Sequence, residues 1–409
     1  MNKMRLLIIN DFPLVGGAEH VILALCRTIR QQPETDEWKL HLVTSKPGIL
    51  VDTAAKISCC RVHIVDIYGL KKQWLNPFAR QKVMKSLDVI SKGVQPDVVL
   101  CNSSWSAAVV NRFFYKRGIP VICAIHADIS PEMPIKRMVF SVIGKKLMRH
   151  VTRWITVSES LASQIESLKV SRHNIQVIPN GVTIPESSTI VRNGPWREKL
   201  TISSEAVVIL TAGRLDPGKG QHTVIEAVIP LIKEGLDIHL LISGEEMITK
   251  ATANEKQNSY THKLQEMIAG FGVENRISLI GYVDNIADVI RESDIVVSAS
   301  RAESFGLSVL EGMAAGRTVI SSDIDAHRNI VEHGVNGLLF DLKNIDAFTA
   351  VLRKAVGDKT LREQLGSAAR EHARGYDSEK TYRQWVECIK RTVTEHRSTH
   401  LFNPKGVGR

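Results

Sequence analysis

The sequence predicts an α/β fold of two domains, each built on a parallel sheet with helices on both faces. Short apolar runs of strand length alternate with amphipathic segments of helix length along almost the whole chain. The chain has 409 residues, too many for one ordinary core and suited to two domains of ~200 residues. The alternation stops once, in a polar stretch from Glu186 to Arg197, and then begins again.

Strands and helices are predicted from this alternation in both halves. In the first half, strands are expected at residues 5–10, 39–44, 62–67, 97–102, 121–126 and 154–158, and a strand ending in a turn at 176–182. Helices are expected from a glycine turn at 15–19 to about residue 30, and at 81–92, 104–117 and 159–168. In the second half, strands are expected at 206–212, 238–243, 277–280, 294–298 and 318–321. The helices there are 222–233, 255–269, 286–291, one starting near 306, 347–356, 361–373 and 378–395.

Domain boundaries follow from the same pattern. We predict an N-terminal domain over residues 1–185, a linker over 186–200 and a C-terminal domain over 201–375. The final helix, 376–397, is expected to pack back on the N-terminal domain, and residues 398–409 form a polar tail. Because ligands of doubly wound sheets gather at the carboxyl ends of strands, functional residues are expected in the loops there.

The charge suggests an anionic partner. The formal net charge is +10 and the isoelectric point is near 9.3. Nucleic acid is not expected, because aromatic residues make up only 5% of the chain and no nucleic-acid motif is present. The densest basic segment runs from Lys136 to Arg153. It is interpreted either as a helix with a solvated basic face or as an attachment site for anionic lipid headgroups.

The sequence favours a cytoplasmic location. The first apolar run, residues 4–9, is too short for a signal peptide, and no run approaches the ~20 apolar residues of a membrane helix. The six cysteines show neither a CxxC pair nor another metal-ligand spacing, so we expect reduced thiols.

The central motif is the stretch from Arg301 to Arg317. It follows an apolar strand and predicts a short loop and then a helix that begins near Gly306. A helix start attracts anions through its unpaired N–H groups and its positive dipole end. Glu303 precedes this start, and Glu311 falls at the margin of the apolar stripe, where a ribose diol would be a suitable partner. The layout can hold a sugar, a phosphate and a ribose in that order.

Two other interpretations of these carboxylates stay open. Glu303 could cap the helix while Glu311 is a solvated surface charge. The pair could instead be the acid and the nucleophile of a glycosidase. Eight residues of continuous helix separate two positions by about 12 Å, whereas paired glycosidase carboxylates lie about 5 to 9.5 Å apart, so the spacing does not favour a glycosidase.

A second motif is the glycine-rich turn at residues 213–220, which follows a predicted strand. It differs from the P-loop pattern G-x-x-x-x-G-K-[ST] at one position, because Gly220 has no hydroxyl for Mg²⁺. ATP hydrolysis is therefore not expected. Arg214 and Lys219 remain as two cations suited to a diphosphate, unless the turn is only a basic surface loop.

Two candidates lie near strand ends in the first half. Gly16 and Gly17 follow the first strand, where backbone amides can approach a phosphate or a sugar, although a plain tight turn explains them equally well. His126 ends its strand, where a catalytic imidazole is expected, although a lone histidine there is more often structural.

Asp323 and Asp325 are spaced like the metal-binding DxD of some sugar transferases. Nothing nearby in the sequence supplies further oxygen ligands, so we expect no metal site there.

Together the motifs resemble the retaining glycosyltransferases of family 4, also called glycosyl transferases group 1. The matching segments are GGAE at 16–19, AIHAD at 124–128, VSES at 157–160, IPNGV at 178–182, GRLDPGKG at 213–220, GYV at 281–283, ESFGLSVLE at 303–311 and GVNGLLF at 334–340. Several are weak alone, but their order along the chain makes the resemblance specific.

The resemblance implies the GT-B fold, in which two Rossmann-like domains of doubly wound parallel sheet face each other across a cleft. It implies transfer of a sugar from a UDP- or GDP-sugar donor to a hydroxyl of a glycan or lipid-linked acceptor, with the anomeric configuration kept. No cofactor or metal is implied, since fixed cations and a helix dipole can stabilise the leaving phosphate. The expected setting is bacterial polysaccharide or lipopolysaccharide biosynthesis at the inner face of the cytoplasmic membrane.

The resemblance also implies roles for residues of this chain. Arg214 and Lys219 would neutralise the donor diphosphate, helped by the helix start at Phe305, Gly306 and Leu307. Glu303 would hold the transferred sugar and Glu311 the ribose. The backbone at Tyr282 and Val283 would hold the base, and the catalytic centre would be lined from the N-terminal domain by His126, Gly16 and Gly17.

One segment departs from the family pattern. Relatives usually carry a G-x-G turn after the third strand of this domain, whereas this chain has Ser243-Gly-Glu-Glu246 and a polar insertion to about Tyr260. Two alternatives to a transferase are a sugar-nucleotide epimerase or hydrolase of the same fold and a non-catalytic nucleotide-sugar-binding subunit. The charged site residues are all present, which favours an enzyme.

Overall fold

The computed structural model describes residues 3–12, 16–57, 60–74, 76–127, 148–246 and 259–402. The chain divides into two compact units. The first comprises Met1–Gly181 together with Ser378–Arg409, and the second comprises Val182–Asp377.

The first unit is built on a seven-stranded parallel sheet with the order β3-β2-β1-β4-β5-β6-β7. Its strands are β1 (Arg5–Ile9), β2 (Lys39–Thr44), β3 (Cys60–Ile64), β4 (Val98–Cys101), β5 (Val121–Ile125), β6 (Arg153–Thr156) and β7 (Ile175–Val177). The helices between them are α1 (Gly17–Gln31), α2 (Ile49–Ala55), α3 (Pro77–Val94), α4 (Ser104–Tyr115) and α5 (Glu159–Ser167).

The second unit is built on a six-stranded parallel sheet with the order β10-β9-β8-β11-β12-β13. Its strands are β8 (Val207–Ala212), β9 (Ile238–Ser243), β10 (Ile277–Gly281), β11 (Ile295–Ser298), β12 (Thr318–Ser322) and β13 (Leu338–Phe340). Its helices are α6 (Pro195–Lys199), α7 (Gln221–Lys233), α8 (Tyr260–Phe271), α9 (Ile286–Glu292), α10 (Leu307–Ala314), α11 (Asp325–Arg328), α12 (Ile345–Gly357) and α13 (Lys359–Ala373).

The two sheets share one topology. In each, the unit's first strand lies inside the sheet, the second and third strands lie on one side of it, and the fourth, fifth and sixth lie on the other. The strand order therefore reverses between β1 and β4 and between β8 and β11, and such reversal points are where doubly wound sheets bind ligands. The predicted pair of Rossmann-like, doubly wound parallel sheets is confirmed.

The last helix, α14 (Ser378–Phe402), belongs to the first unit. Trp385 and Ile389 of α14 join Ile22 of α1 and Leu6 and Ile8 of β1 in one buried cluster. The spacing of the two β1 residues places their side chains on the same face of the sheet. This face is thus covered by the earliest and the latest helix of the chain.

The first unit differs from the prediction most clearly at β3 and at α2. The strand expected at residues 62–67 is β3, which pairs with β2 only from Cys60 to Ile64. Val65 and Ile67 prolong the apolar run because they are buried, but they lie beyond the last ladder pair. Helix α2 has no predicted counterpart, since seven residues are too few to show a helical period.

The polar stretch that looks like a linker is tied into the second unit. Residues 186–200 include α6 and Arg197, which is 1% exposed. Its guanidinium donates to the Ser203 carbonyl at 2.9 Å and to the Asp294 carboxylate at 3.1 Å. Arg192 donates to the same buried carboxylate at 2.6 Å. Pairing with a carboxylate about a hundred residues away makes this polar sequence part of a packed structure.

Two predictions about basic and terminal segments also need correction. Most of the basic segment, residues 136–147, lies outside the described residues. Its last residue, Arg153, begins β6 and is buried, donating to the His173 carbonyl at 2.7 Å and to the Glu395 carboxylate. A solvated or lipid-facing role for Arg153 is therefore wrong. The tail expected from residue 398 starts later, because α14 continues to Phe402.

Candidate functional site

Two loops meet at the reversal point of the second sheet. The glycine-rich loop after β8 and the loop after β11 are joined where the Arg301 N–H donates to the Gly218 carbonyl at 2.8 Å. Gly220 has φ +71°, and a Cβ there would lie 2.2 Å from the Ala299 carbonyl oxygen. Only glycine permits this approach.

The approach brings Lys219 to Glu303. The Lys219 Nζ lies 2.5 Å from the Glu303 Oε1, and the Ser300 hydroxyl donates to the same oxygen at 2.8 Å. Both charged side chains are partly exposed, 27% for Lys219 and 18% for Glu303. A cation and a carboxylate predicted from separate motifs therefore form one ion pair.

Arg214 lies in the same loop but has a different neighbour. Its Nη2 is 3.6 Å from the Asp216 Oδ2, and about half of its side chain is exposed. Asp216 also accepts from the Gly218 N–H at 2.8 Å. Arg214 thus extends from a loop that is fixed by its own backbone bonds.

The start of α10 follows Glu303 by four residues. Gly306 adopts φ +90°, and a Cβ there would lie 2.9 Å from the His327 ring. Among the described residues no side chain caps this helix start, so its first N–H groups stay available. Phe305 is 7% exposed and packs edge-on against Tyr376, which fixes the chain as it enters the helix.

Glu311 lies in the last turn of α10, three residues before its final residue Ala314, and is partly buried. Burial raises the pKa of Glu311 to about 7. Within the part of the chain that the structure describes, no hydrogen-bond donor pairs with it. Such a carboxylate is suited to a ligand that supplies donors, as a diol does.

The loops after β9 and β10 are joined as well. The Gly281 carbonyl accepts from the Gly244 N–H at 2.8 Å and from the Ser243 hydroxyl at 3.2 Å. Tyr282, the next residue, is 38% exposed. Burial and nearby carboxylates raise the pKa of its hydroxyl. Tyr282 and Val283 thus lie beside the segment that departs from the family pattern.

That segment has a structural role at its near end. The Glu246 carboxylate accepts from the N–H groups of Tyr260 and Thr261, at 3.1 and 3.0 Å, and caps the start of α8. Residues 247–258 of the insertion lie outside the described residues.

Asp323 and Asp325 both pair with Arg328, whose guanidinium lies 2.6 and 3.3 Å from their carboxylates. Among the described residues, no group of three or more His, Cys, Asp or Glu side chains is arranged to hold a metal ion.

His327 is a candidate that the sequence interpretation missed. It is fully buried beneath Gly306, and its Nδ1 lies 2.9 Å from the Ser322 carbonyl, so Nδ1 carries the proton. Burial lowers its pKa, and its Nε2 lies 3.5 Å from the Ser298 hydroxyl. Because α11 has only four residues, no periodicity draws attention to it.

The reversal point of the first sheet carries neutral groups. Asn10 and Asn102 each follow the last residue of a central strand, β1 and β4, and both are buried. The Asn102 Nδ2 donates to the Asn10 Oδ1 at 2.8 Å, and the Asn102 Oδ1 lies 2.9 Å from the His126 Nε2. His126 follows the neighbouring strand β5, so three adjacent strand ends are linked.

This chain of bonds fixes the tautomer of His126. The Asn10 Nδ2 donates to the Phe12 carbonyl at 2.6 Å, which makes the Asn10 Oδ1 an acceptor. Asn102 must then donate through Nδ2 and accept through Oδ1, so the His126 Nε2 carries the proton. The Nδ1 is left as an acceptor, buried and without a partner among the described residues.

The surroundings of His126 also keep its imidazole neutral and orient its ring. Burial lowers its pKa to about 4. The indole of Trp385 in α14 lies parallel to its ring, 6.2 Å away at 5°. This contact could not be predicted from a local pattern, because Trp385 lies about 260 residues further along the chain. Asp128, the last residue of the AIHAD motif, lies outside the described residues.

The glycine pair after β1 serves the start of α1. The Gly16 N–H donates to the Glu19 carboxylate at 3.0 Å, an arrangement that closes the first turn. Burial raises the pKa of Glu19 to about 7. A Cβ on Gly17 would meet no atom within 4 Å. A role for Gly16 and Gly17 in ligand binding stays a prediction.

Two family models match the chain. Glycosyltransferase Family 4 matches residues 15–184, and Glycosyl transferases group 1 matches residues 193–372. Together they include both reversal points and nearly all of the candidate residues.

Characterised relatives match over different lengths. The chain is 24% identical over 376 residues to the UDP-Gal:alpha-D-GlcNAc-diphosphoundecaprenol alpha-1,3-galactosyltransferase of Escherichia coli, covering 88% of this chain and 90% of that protein. It is 30% identical over 175 residues to the lipopolysaccharide core biosynthesis glycosyltransferase LpsE of Rhizobium meliloti, covering 43% of this chain and 47% of that protein.

Among solved structures, Anabaena Alr3699/HepE in complex with UDP-glucose superposes with a TM-score of 0.77 at 20% identity. The match covers 95% of this chain and all of that chain. At this identity, the likeness shows the fold.

Proposed function

The chain belongs to the family 4 glycosyltransferases with the GT-B fold, and we propose that it transfers a sugar from a nucleotide-sugar donor to a hydroxyl of a glycan or lipid-linked acceptor. The observation that carries this proposal is the Lys219–Glu303 ion pair beside the uncapped start of α10. A UDP- or GDP-sugar is the proposed donor. The UDP-glucose complex of the Anabaena protein supports this choice.

The proposed reaction places growing charge beside fixed positive groups. As the bond between the sugar C1 and the phosphate oxygen breaks, negative charge develops on the diphosphate. The Lys219 ammonium has three N–H donors, so its bond to Glu303 leaves others for phosphate oxygens. The first N–H groups of α10 and the guanidinium of Arg214 add further positive charge around the diphosphate, so that no metal is needed.

We propose that the anomeric configuration is retained without a protein nucleophile. Glu303 accepts hydrogen bonds from Lys219 and Ser300 on one oxygen, which orients it and weakens it as a nucleophile. Its role is to accept a hydrogen bond from a hydroxyl of the transferred sugar. The acceptor oxygen bonds to C1 on the face that the phosphate leaves, and the acceptor's proton passes to the departing phosphate oxygen.

We propose further binding roles for a neutral group in the first unit and for a weakly acidic group in the second. The His126 Nδ1 can accept a hydrogen bond from a substrate hydroxyl, and it cannot act as a general acid in this tautomer at neutral pH. Glu311 can accept two donors from the ribose diol of the nucleotide. Tyr282 and Val283 are the proposed backbone contacts of the base.

A donor screen followed by product analysis tests the proposal. A nucleotide sugar at 100 times its dissociation constant adds about 2.7 kcal/mol to the stability, so thermal unfolding with UDP-, GDP- and ADP-sugars identifies the donor. NMR of the product should then show the donor's anomeric configuration. An inverted product contradicts retention. Donor turnover without any acceptor would indicate an epimerase or hydrolase, and binding without turnover a non-catalytic subunit.

We further propose work on bacterial envelope or exported polysaccharide at the inner face of the cytoplasmic membrane. The functions of the Escherichia coli and Rhizobium meliloti relatives support this setting. In the described part of the chain, no helix has an apolar stretch long enough to cross a bilayer. If the basic segment attaches the protein, neutralising Lys145, Lys146 and Arg149 should release it from anionic vesicles.

A further inference from the structure

Helix α3 of the first unit has an unusual outer face. Five residues at spacings of four, three, four and three lie on one stripe of this helix. They are Phe78, Lys82, Lys85, Val89 and Lys92, and all five are exposed. Phe78 is 78% exposed and Val89 72%, the two highest values for large hydrophobic side chains in the described residues.

The opposite face shows that α3 is firmly placed. Val83, Leu87 and Val94 are buried, and the Asn76 side chain caps the first turn by accepting from the Phe78 N–H at 3.0 Å. The exposed apolar residues therefore belong to a well-packed helix. Leaving Phe78 and Val89 in water has a free-energy cost.

The charge around the two apolar residues is positive. Lys82 and Lys85 make no ion pair with any described residue, and the stripe contains no carboxylate. Asp88 lies beside the stripe, where it is bonded at 2.7 Å both to Lys92 and to Arg117 from the end of α4. Its negative charge is therefore already matched by two cations.

We propose that this stripe of α3 lies on an anionic lipid surface. Apolar side chains flanked by lysines match such a surface, since Phe78 and Val89 can enter the boundary of the acyl chains while the ammonium groups meet lipid phosphates. A nucleic acid would meet the lysines but would offer no apolar environment to Phe78 and Val89. The inference extends the proposed function, because a lipid-linked acceptor lies in the same surface.

Vesicle sedimentation of the full-length protein tests this without any turnover. Wild type should bind vesicles of 30% phosphatidylglycerol in phosphatidylcholine and not those of phosphatidylcholine alone. Replacing Lys82, Lys85 and Lys92 by Gln should lower the partition coefficient on the order of 100-fold. The matched control replaces Lys263, Lys343 and Lys354, exposed lysines of the second unit, and should bind as wild type does.

Variants of the two apolar residues distinguish a lipid surface from a purely ionic partner. Phe78→Ser and Val89→Ser should each weaken binding about tenfold, whereas Val335→Ser, at a 52% exposed position of the second unit, should not. Binding that depends on the lysines but not on Phe78 and Val89 overturns the proposal in favour of a purely ionic partner. Release only by the Lys145, Lys146 and Arg149 variant overturns it too. Because donor binding and turnover are measured separately, either result leaves the proposed reaction standing.

Discussion

The two sheets have the same strand order, yet the loops at their reversal points carry different chemistry. After β1, β4 and β5 lie two buried asparagines and a neutral histidine joined by hydrogen bonds. After β8 and β11 lie a lysine and a glutamate in an ion pair beside an uncapped helix start. Under the proposed function, one scaffold would recognise hydroxyls with neutral groups in one unit and diphosphate charge with fixed cations in the other. Experiments that change the charge at each point test this division.

Removing the ion pair should have the largest effect. Lys219→Ala or Glu303→Ala should lower turnover on the order of 100-fold or more, since each group would stabilise the transition state. Steady-state kinetics with the identified donor and acceptor measure this effect. Lys263→Ala and Glu274→Ala, both exposed in the second unit, are the matched controls. Near-wild-type rates in Lys219→Ala and Glu303→Ala would remove these residues from the site.

Adding charge to the neutral point should have the next largest effect. In Asn102→Asp, a carboxylate beside the imidazole favours its protonated form and should raise the pKa of His126 by about 1 to 3 units. The Nδ1 acceptor is then lost on protonation, so turnover should fall as the pH is lowered, and at pH 6 by about tenfold if the pKa reaches about 7.

The imidazole ¹⁵N shifts report the tautomer directly. Wild type should show a protonated Nε2 and little titration above pH 5, because burial lowers the pKa of His126 to about 4. The unfolded chain binds this proton near pH 6.5, so His126 makes the protein less stable as the pH falls from about 6.5 to 4. A wild-type His126 protonated on Nδ1 would contradict the proposed bond chain.

Glu311→Gln tests the second unit through the pH dependence of stability, which should have the opposite sign to that caused by His126. Burial raises the folded-state pKa of Glu311 to about 7, so the folded state keeps a proton that the unfolded chain loses near 4.5. Stability is therefore lost as the pH rises from about 4.5 through 7, and the Gln variant should show a weaker loss. Above pH 7, the affinity of the Gln variant for the donor should be about fivefold lower than that of the wild type. Equal affinity in the two proteins, measured by calorimetry, would exclude a Glu311 contact with the donor.

The smallest effect is expected where the second unit departs from the family pattern. Glu246→Ala removes the cap of α8 and should cost about 1 kcal/mol. That corresponds to a Tm lower by about 2–4 °C in the transition of the second unit. Glu245→Ala, at the adjacent exposed position, is the control. The Ser259 hydroxyl also caps α8, by accepting from the His262 N–H at 3.1 Å. An unchanged Tm would show that this cap alone is sufficient to start the helix.

Local sequence patterns predicted the strands of both sheets well, but they predicted few of the contacts between distant side chains. The strand at 39–44 has the predicted bounds, because its short local pattern of Leu40, Leu42 and Val43 indicates a strand without distant information. The pairing of Lys219 with Glu303 could be anticipated because both follow central strands of one parallel sheet. Arg197 could not be placed, since its partner Asp294 lies about a hundred residues away.

The same limit applies to His126 and His327. The strand end identified His126 as a candidate, but its tautomer depends on Asn10, Asn102 and the Phe12 carbonyl, which only the folded chain brings together. His327 follows no periodic pattern, and its importance arises from the space beneath Gly306.

The close approach at Gly220 also limits what this protein can become. In sequence, a single replacement by serine or threonine would complete the motif of a nucleotide-hydrolysing loop. In the structure, the added Cβ would clash with the Ala299 carbonyl oxygen after β11. The left-handed backbone conformation of Gly220 is also unfavourable for serine or threonine. The replacement would therefore require both loops to change their backbone conformation. The difference between this turn and the loop of a magnesium-dependent ATPase is thus one of backbone geometry as well as of one residue.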